Sequence, residues 1–400
     1  MSSSRSLPWP GLTVLSVAIF FCITSEVLPT GLMPEIVEEF GVTEAQVGLL
    51  VTIFAASVAL SAAPLAALTH RYSRKSLVVV VLVVFALANL LAAIAPVYGV
   101  LIVARVLGGL AHGLFWAVVG AYAGHLVAPA QLGRAVALVN AGGTLAFVLG
   151  VPIGTALGHA FGWRWAFGAI AAIVVVIIVL VIVLLPAVDH RVPVATGEIA
   201  VPVRKDRTIP AVAVVCVIVL LVMFAQYVFY SFITPFLLGP GGIDRDAVAG
   251  VLFLYGAAAA VGLVLSGFVA ERMPRYGYLV FLAFVVLGVV GVGLFPSNTV
   301  ALMASIAFWS VAFGGFPAMM QTRMLHAASP RIRDLASAFL TTSFNIAIGG
   351  GAAVGGLLLT GYGVGVLPFA TAVLGVVAIA FGLTADAALR RRRPQVPVEV

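Results

Sequence analysis

Three ionisable side chains stand inside long apolar runs of the chain. Glu26, Arg105 and His112 all belong to the first half of the 400 residues. Charged groups are costly inside a membrane and usually mark ion or substrate pathways. A carboxyl group that burial desolvates and a nearby arginine attracts can take up and release a proton near neutral pH. We therefore predict that Glu26, Arg105 and His112 form a proton-coupling site.

Depth along the helices favours a link between Glu26 and Arg105. Each is seven residues from the same end of its own apolar run, Glu26 before Met33 and Arg105 after Tyr98. At about 1.5 Å per residue, both lie roughly 10 Å below that boundary. Two alternatives stay open: a purely structural pair, or a glutamate that faces the outer vestibule.

His112 and Trp116 follow Arg105 along the same helix face, at intervals of seven and four residues. A histidine at this position can share in proton transfer. A neutral histidine that bonds to a neighbouring helix is an equally good interpretation.

Uncharged polar and aromatic side chains in the same runs are candidates for the wall of a substrate cavity. They are Phe115, Trp116, Asn140, Phe147, Gln226, Tyr230, Tyr255, Trp309 and Asn345. Packing between helices is the default for each aromatic, and buried amides often serve as hydrogen bonds between helices. Hydroxylated substrates need several polar partners, whereas apolar ones need an aromatic wall with few. The sparse polar set therefore favours apolar substrates slightly.

Glycines recur at intervals of four in two of the runs. Gly150, Pro152 and Gly154 mark the fifth run, and a glycine series over 349–356 marks the eleventh. Small residues allow close backbone contact, and proline allows a bend. We expect these helices to pack across a domain interface and to slide or rock there. Ordinary close packing is the alternative.

Motifs of other chemistries are missing from the sequence. It contains no Walker-type loop, no HExxH, no Cys/His metal spacing and no GxSxG elbow. We therefore expect neither a cofactor nor a metal nor enzymatic activity. Cys22 and Cys216 both lie in apolar runs, where unpaired packing residues are expected.

The composition is that of an integral membrane protein. Hydrophobic residues make up 63% of the chain and charged residues only 9%, against about 25% charged in soluble domains. The net charge of +7 does not indicate nucleic acid, because the basic residues fill short gaps between apolar runs.

Twelve runs approach the length of about 20 residues that spans a bilayer as a helix. They lie near 11–33, 45–68, 77–95, 99–123, 134–158, 164–185, 210–237, 247–270, 278–295, 300–322, 335–359 and 365–386. We interpret residues 1–185 and 210–400 as two six-helix bundles, and the polar segment 186–209 as a cytoplasmic linker. The predicted fold is all-α and transmembrane.

Charge predicts the orientation. With the N-terminus inside, 18 of the 21 Lys and Arg residues face the cytoplasm, and only Arg164 and Arg245 lie outside. Positive residues accumulate on the cytoplasmic side of membrane proteins. Both termini are therefore expected in the cytoplasm.

An offset of 201 residues aligns the chain with itself. The matched pairs are Pro34 with Pro235, Arg71 with Arg272, Arg74 with Arg275, Pro129 with Pro330, Gly150 with Gly351, and Gly154 with Gly355. A shared offset indicates a duplication, here of two halves in the same orientation around a cavity. The repeat partners of Glu26, Arg105 and His112 are Tyr227, Ile306 and Phe313, none of which is charged. The charged residues inside the spans therefore belong to the first half.

The chain resembles the major facilitator superfamily over essentially its whole length. The motifs are the basic loop Leu68 to Lys75, Arg105-Val-Leu-Gly108-Gly109, Gly150-Val-Pro152-Ile-Gly154, and Gly162 to Phe167. The resemblance implies the twelve-helix fold of that family. The basic loop has His70 and Ser73 where the family usually has Asp and Gly, so the resemblance does not imply an Asp-dependent charge relay here.

The stretch from Thr24 to Pro34 resembles the drug:proton antiporter group, with the sugar-efflux and chloramphenicol-efflux branches closest. The series from His112 to Trp116 adds to that likeness. The resemblance implies proton-driven export by alternating access. It assigns coupling to Glu26 and proton handling to Arg105. The inner-gate residues it implies are Arg71 and Arg74, with their repeat partners Arg272 and Arg275.

The sequence thus predicts a monomeric exporter of small, largely apolar molecules, driven by protons across a bacterial inner membrane. Export of sugars or nucleosides by the same mechanism is the first alternative. A membrane sensor or scaffold without transport is the second. A large cytoplasmic module would favour the second, and the chain has none.

Overall fold

The computed structural model describes residues 8–69, 72–127, 131–186, 206–273, 276–329 and 332–391. Within these ranges the chain is helical throughout. The first half contains α1 Trp9–Gly31, α2 Met33–Phe40, α3 Glu44–Thr69, α4 Arg74–Ala93, α5 Tyr98–Leu126, α6 Leu132–Leu145, α7 Val151–Phe161 and α8 Trp163–Leu184. The second half contains α9 Ile209–Tyr230, α10 Ile233–Leu238, α11 Arg245–Arg272, α12 Gly277–Leu294, α13 Thr299–Gly314, α14 Phe316–Ala327, α15 Arg333–Tyr362 and α16 Leu367–Arg391.

Twelve spans are long and apolar enough to cross a membrane among the residues that the structure describes. They lie where the hydropathy of the sequence predicts them, so the predicted fold class is confirmed. Most spans are single helices. The fifth combines α6 and α7, and the tenth combines α13 and α14. The short helices α2 and α10 follow the first span of each half.

Proline explains where the two halves differ in helix continuity. A five-residue π-helical turn, Ala146–Gly150, joins α6 to α7 just before Pro152. Proline has no N–H to donate to the preceding turn, so the helix must widen or break there. In the second half α15 is continuous, and the break falls instead at Gly315, two residues before Pro317.

The glycines of the fifth span pack within the first half rather than across the interface. A methyl group at Gly150 would collide with Thr24, and one at Gly154 with Leu28. Both partners are on α1, so this close packing holds the first and fifth spans together. The span itself also reaches the second half, because its backbone at Phe147 and Val148 lies against Gly256 of α11. The expected packing of this helix across the interface is therefore present, although Gly150 and Gly154 face the first half.

The eleventh span also reaches the other half. Gly349 accepts a hydrogen bond from the Thr52 hydroxyl at 3.0 Å, and its Cα faces the backbone of α3. Thr234 donates to the carbonyl of Thr30 at 2.7 Å. That carbonyl is available because Pro34, four residues later, has no N–H for a helical bond. The halves thus contact each other at mid-depth and near the end of the first span.

The linker is described only at its end. Asp206 accepts hydrogen bonds from the Thr208 amide and hydroxyl at 2.8 and 2.6 Å and from the Ser329 hydroxyl at 2.6 Å. It therefore holds the start of α9 against the end of α14. The predicted linker residues 187–205 lie outside the described ranges.

Candidate functional site

The structure brings Glu26, Arg105 and His112 together between α1 and α5. All three are buried, with exposed fractions of 8%, 3% and 2%. An arginine this deeply buried needs partners for its five N–H groups. If these partners are not the Glu26 carboxylate, that carboxylate can bind another group.

Arg105 bonds to backbone carbonyls and not to the Glu26 carboxylate. Its guanidinium donates to the carbonyl of Ser25 at 2.8 Å and to that of Glu26 at 2.6 Å. Its Nε donates to the carbonyl of Leu50 at 3.4 Å. The guanidinium carbon also lies 4.3 Å from the centroid of the Phe54 ring, a cation–π contact. The predicted depth match is correct, but the bonded groups differ from a carboxylate pair.

Pro29 explains why the carbonyl of Ser25 takes an arginine. In an α-helix the carbonyl of Ser25 would accept from the N–H four residues later. Residue 29 is a proline inside α1, so that donor is missing. Arg105, which lies on α5, donates the missing hydrogen bond to α1.

The Glu26 carboxylate lies next to His112. Its Oε2 is 3.4 Å from His112 Nε2, and the same nitrogen accepts a 2.6 Å hydrogen bond from the Trp116 indole. A ring nitrogen that accepts from Trp116 holds no proton of its own. His112 Nδ1 is buried and has no hydrogen-bond partner among the described residues.

This arrangement makes two hydrogen bonds mutually exclusive. A proton placed on His112 Nε2 would be donated to Glu26, and the Trp116 indole would then lose its acceptor. The position of one proton is therefore tied to the position of the Trp116 side chain. Trp116 is the only one of these groups that is half-exposed.

A polar pair positions the backbone at this site, and the sequence analysis did not select it. The Ser25 hydroxyl donates to Asn89 Oδ1 at 2.6 Å, and the Asn89 amide donates to the carbonyl of Phe85 at 2.8 Å. Asn89 is buried in the third span. A single asparagine in an apolar run is the feature of the sequence that could have indicated this pair.

Part of the predicted cavity wall forms one buried network in the second half. Gln226 Nε2 donates to the Tyr255 hydroxyl at 2.7 Å, and Trp309 Nε1 donates to Gln226 Oε1 at 3.0 Å. The rings of Tyr230 and Tyr255 lie 4.9 Å apart. Phe147 joins from the first half, with its ring centroid 6.5 Å from that of Tyr230.

Four predicted cavity residues lie apart from this network, and Trp116, which bonds to His112, is one of them. Phe115 is fully buried in the core of the first half. Asn140 is exposed. Asn345 donates its amide at 3.0 Å to the carbonyl of Thr341, one turn earlier in its own helix.

The predicted inner-gate arginines are described only in part. Arg74 begins α4 and Arg272 ends α11, both at the end of the molecule that charge assigns to the cytoplasm. Arg71 and Arg275 lie outside the described residues. Their role as a gate stays a prediction.

The second half holds a charged pair at the predicted ends of two spans, with Arg323 one residue beyond the span 300–322 and Asp386 the last residue of the span 365–386. Arg323 contacts Asp386, and Tyr278 donates to the same carboxylate at 3.0 Å. Both α14 and α16 extend a turn or more beyond the predicted ends, so this pair belongs to the helices. It lies near the ends of these helices that charge assigns to the cytoplasm.

Comparison with known proteins agrees with this architecture. The sequence pattern of the Major Facilitator Superfamily matches residues 15–241 and 215–399. The chain belongs to this superfamily. Its fold is similar to that of a bacterial homologue of the human lysosomal transporter Spinster in an inward-facing, unoccupied conformation. The TM-score is 0.78 at 19% identity, with 98% of this chain and 100% of the homologue covered.

The inward-facing, occupied conformation of a bacterial Spinster homologue is also similar. Its TM-score is 0.76 at 19% identity, over 96% of this chain and 98% of that one. At this identity the likeness concerns the fold alone. Family and fold together make the chain a multi-pass membrane transporter that works by alternating access, and not an enzyme.

Proposed function

We propose that this transporter exports small, largely apolar molecules in exchange for protons across a bacterial inner membrane. The observation that carries the proposal is the buried Glu26 carboxylate, 3.4 Å from His112 and free of a hydrogen bond to Arg105. A buried carboxylate whose nearest polar side chain is a titratable imidazole is suited to bind and release a proton.

Arg105 supports this role without neutralising the carboxylate directly. Its hydrogen bonds hold the backbone at Ser25 and Glu26, so they fix the helical turn that carries the carboxylate. Proton arrival between Glu26 and His112 displaces the Trp116 indole from Nε2. Protonation is thereby converted into a side-chain movement at a half-exposed position.

The network in the second half supports the proposed substrate class. The amide of Gln226 is bonded to Tyr255 and Trp309, and the other members of the network are aromatic side chains. Aromatic walls with few polar points suit apolar molecules. Sugars and nucleosides, the alternative substrates, would require these hydrogen bonds to open.

Transport by purified protein in proteoliposomes tests the coupling. An imposed pH gradient should drive movement of fluorescent apolar dyes, and Glu26→Gln should reduce this movement to the level without a gradient. Glu39→Gln is the matched control, because Glu39 is an outer-face carboxylate paired with Arg164 at 2.7 Å. It should transport like the parent.

Two results would contradict the proposal. Glu26→Gln with the rate and pH dependence of the parent would show that coupling lies elsewhere. Radiolabelled sugars moved in preference to the dyes would replace the substrate class and leave the coupling assignment intact.

A further inference from the structure

A second charged cluster connects the two halves at the outer face. Glu35, at the start of α2, lies 3.0 Å from Nε of Arg245 and 3.3 Å from Nε2 of His159. Glu38 lies 3.3 Å from the same arginine. Glu35 and His159 belong to the first half, whereas Arg245 begins the eighth span in the second half.

The burial of this cluster is uneven. The side chains of Glu35 and His159 are 12% and 7% exposed, whereas those of Arg245 and Glu38 are 44% and 75% exposed. Glu38 is therefore solvated and needs no partner. Glu35 is a buried carboxylate, and a buried charge requires a compensating charge or a proton.

Neither buried group has a satisfied hydrogen bond. Both carboxylate oxygens of Glu35 and both ring nitrogens of His159 are without a hydrogen-bond partner among the described residues. The ion pairs are close but not aligned for hydrogen bonding. Both groups therefore keep free positions for a proton.

We propose that Glu35 and His159 form a second proton-binding site, which fills when the two halves part at the outer face. Alternating access moves the halves as bodies, so opening would carry Arg245 away while His159 stays beside Glu35. Loss of the arginine leaves the buried Glu35 carboxylate without its compensating charge. A proton from the outer solution takes the place of Arg245.

The sign of the pH effect follows from this exchange. If the open state binds more protons than the closed state, acid favours the open state. High external pH favours the closed contact between Glu35 and Arg245. One proton taken up on opening changes the open-to-closed ratio by at most about tenfold per pH unit.

The other charged groups nearby do not produce the same effect. Glu39 pairs with Arg164, and both lie in the first half; opening leaves that pair together. Asp244 and Asp246 flank Arg245 and are exposed, so they move with it and remain solvated.

A distance measurement across the outer face tests the proposal. Spin labels are attached at Gly99→Cys and Val300→Cys in a Cys22→Ser, Cys216→Ser background of the full chain in nanodiscs. The two positions are repeat partners at the outer ends of α5 and α13. A side chain at Gly99 meets no atom within 4 Å, and Val300 is 80% exposed. Lowering the pH from 8 to 5 should increase the population with the long distance.

Two arginine variants form the matched comparison. Arg245→Gln should populate the long distance at both pH values and lose the pH dependence. Arg164→Gln should keep the pH dependence, because its pair stays within one half. Arg245→Lys should restore part of the response, which separates loss of the ion pair from misfolding. His159→Asn should weaken the response and leave the remainder to Glu35.

The same series in a Glu26→Gln background separates this site from the proposed coupling site, since the measurement requires no transport. A pH response that survives there supports the outer site even if Glu26 proves unimportant for coupling. A parent without a pH response, closure on acidification, or an Arg245→Gln variant that responds like the parent would overturn the proposal.

Discussion

At equivalent positions of the repeat, the first half holds Ser25, Phe54 and Arg105, and the second half holds Gln226, Tyr255 and Ile306. In the first half the arginine links α1 and α5 through the carbonyl of Ser25. In the second half an amide of α9 bonds directly to a tyrosine of α11. The repeat therefore keeps a polar link at this depth and changes its charge. Only the charged link can assist a protonatable neighbour.

One proline accounts for much of this difference. Pro29 leaves the carbonyl of Ser25 without its helical donor, and Arg105 replaces that donor. The repeat partner of Pro29 is Tyr230, which carries an N–H for the bond to Gln226. The second half thus needs no arginine at Ile306. A buried apolar residue fills that position.

Of the substitutions that separate the two halves, Arg105→Lys should have the largest effect on transport and stability. Lysine is a point charge and cannot hold the carbonyls of Ser25, Glu26 and Leu50 together. Each buried carbonyl left without a donor costs about 1–3 kcal/mol. We expect loss of gradient-driven transport and a lower melting temperature in detergent. Ile306→Leu is the control and should change neither. If the lysine variant transports like the parent, the hydrogen bonds of the guanidinium to these carbonyls are not needed for transport.

Gln226→Leu should affect substrate binding more than proton coupling. It leaves the Trp309 N–H buried without an acceptor, at a cost of about 1–3 kcal/mol. The KM for apolar substrates should rise several-fold while the pH dependence of transport stays that of the parent. Asn345→Leu is the control, because the Asn345 amide donates to the carbonyl of Thr341 in its own helix. A changed pH profile in Gln226→Leu would show that the two regions are not separate in function.

Trp116→Phe should give the smallest effect. It keeps an aromatic ring but removes the N–H that holds His112 Nε2 as an acceptor. Because that hydrogen bond stabilises the neutral imidazole, its loss should make proton uptake easier. A bond of about 0.5–1.5 kcal/mol corresponds to a shift of the pH profile upward by up to about one unit. Trp309→Phe, in the other half, should leave the pH profile in place. An unchanged profile in Trp116→Phe would separate Trp116 from the proton site.

The number and position of the spans, the duplication and the three buried ionisable residues all follow from the sequence. Hydropathy and repeat spacing are properties of the chain itself. Depth along a helix can therefore be counted from the nearest end at about 1.5 Å per residue. This count places Glu26 and Arg105 at the same depth in the membrane, and the structure confirms that they are neighbours.

Only the tertiary structure decided which atoms meet. It placed Arg105 on the carbonyl freed by Pro29, and it left the Glu26 carboxylate to His112. It also turned Asn140 to an exposed face and joined Glu35 to Arg245 across the two halves. In a soluble protein the apolar stripe of a helix shows which face is buried. In a membrane both the lipid-facing and the buried faces are apolar, so the rotation of each helix is set by packing against its neighbours.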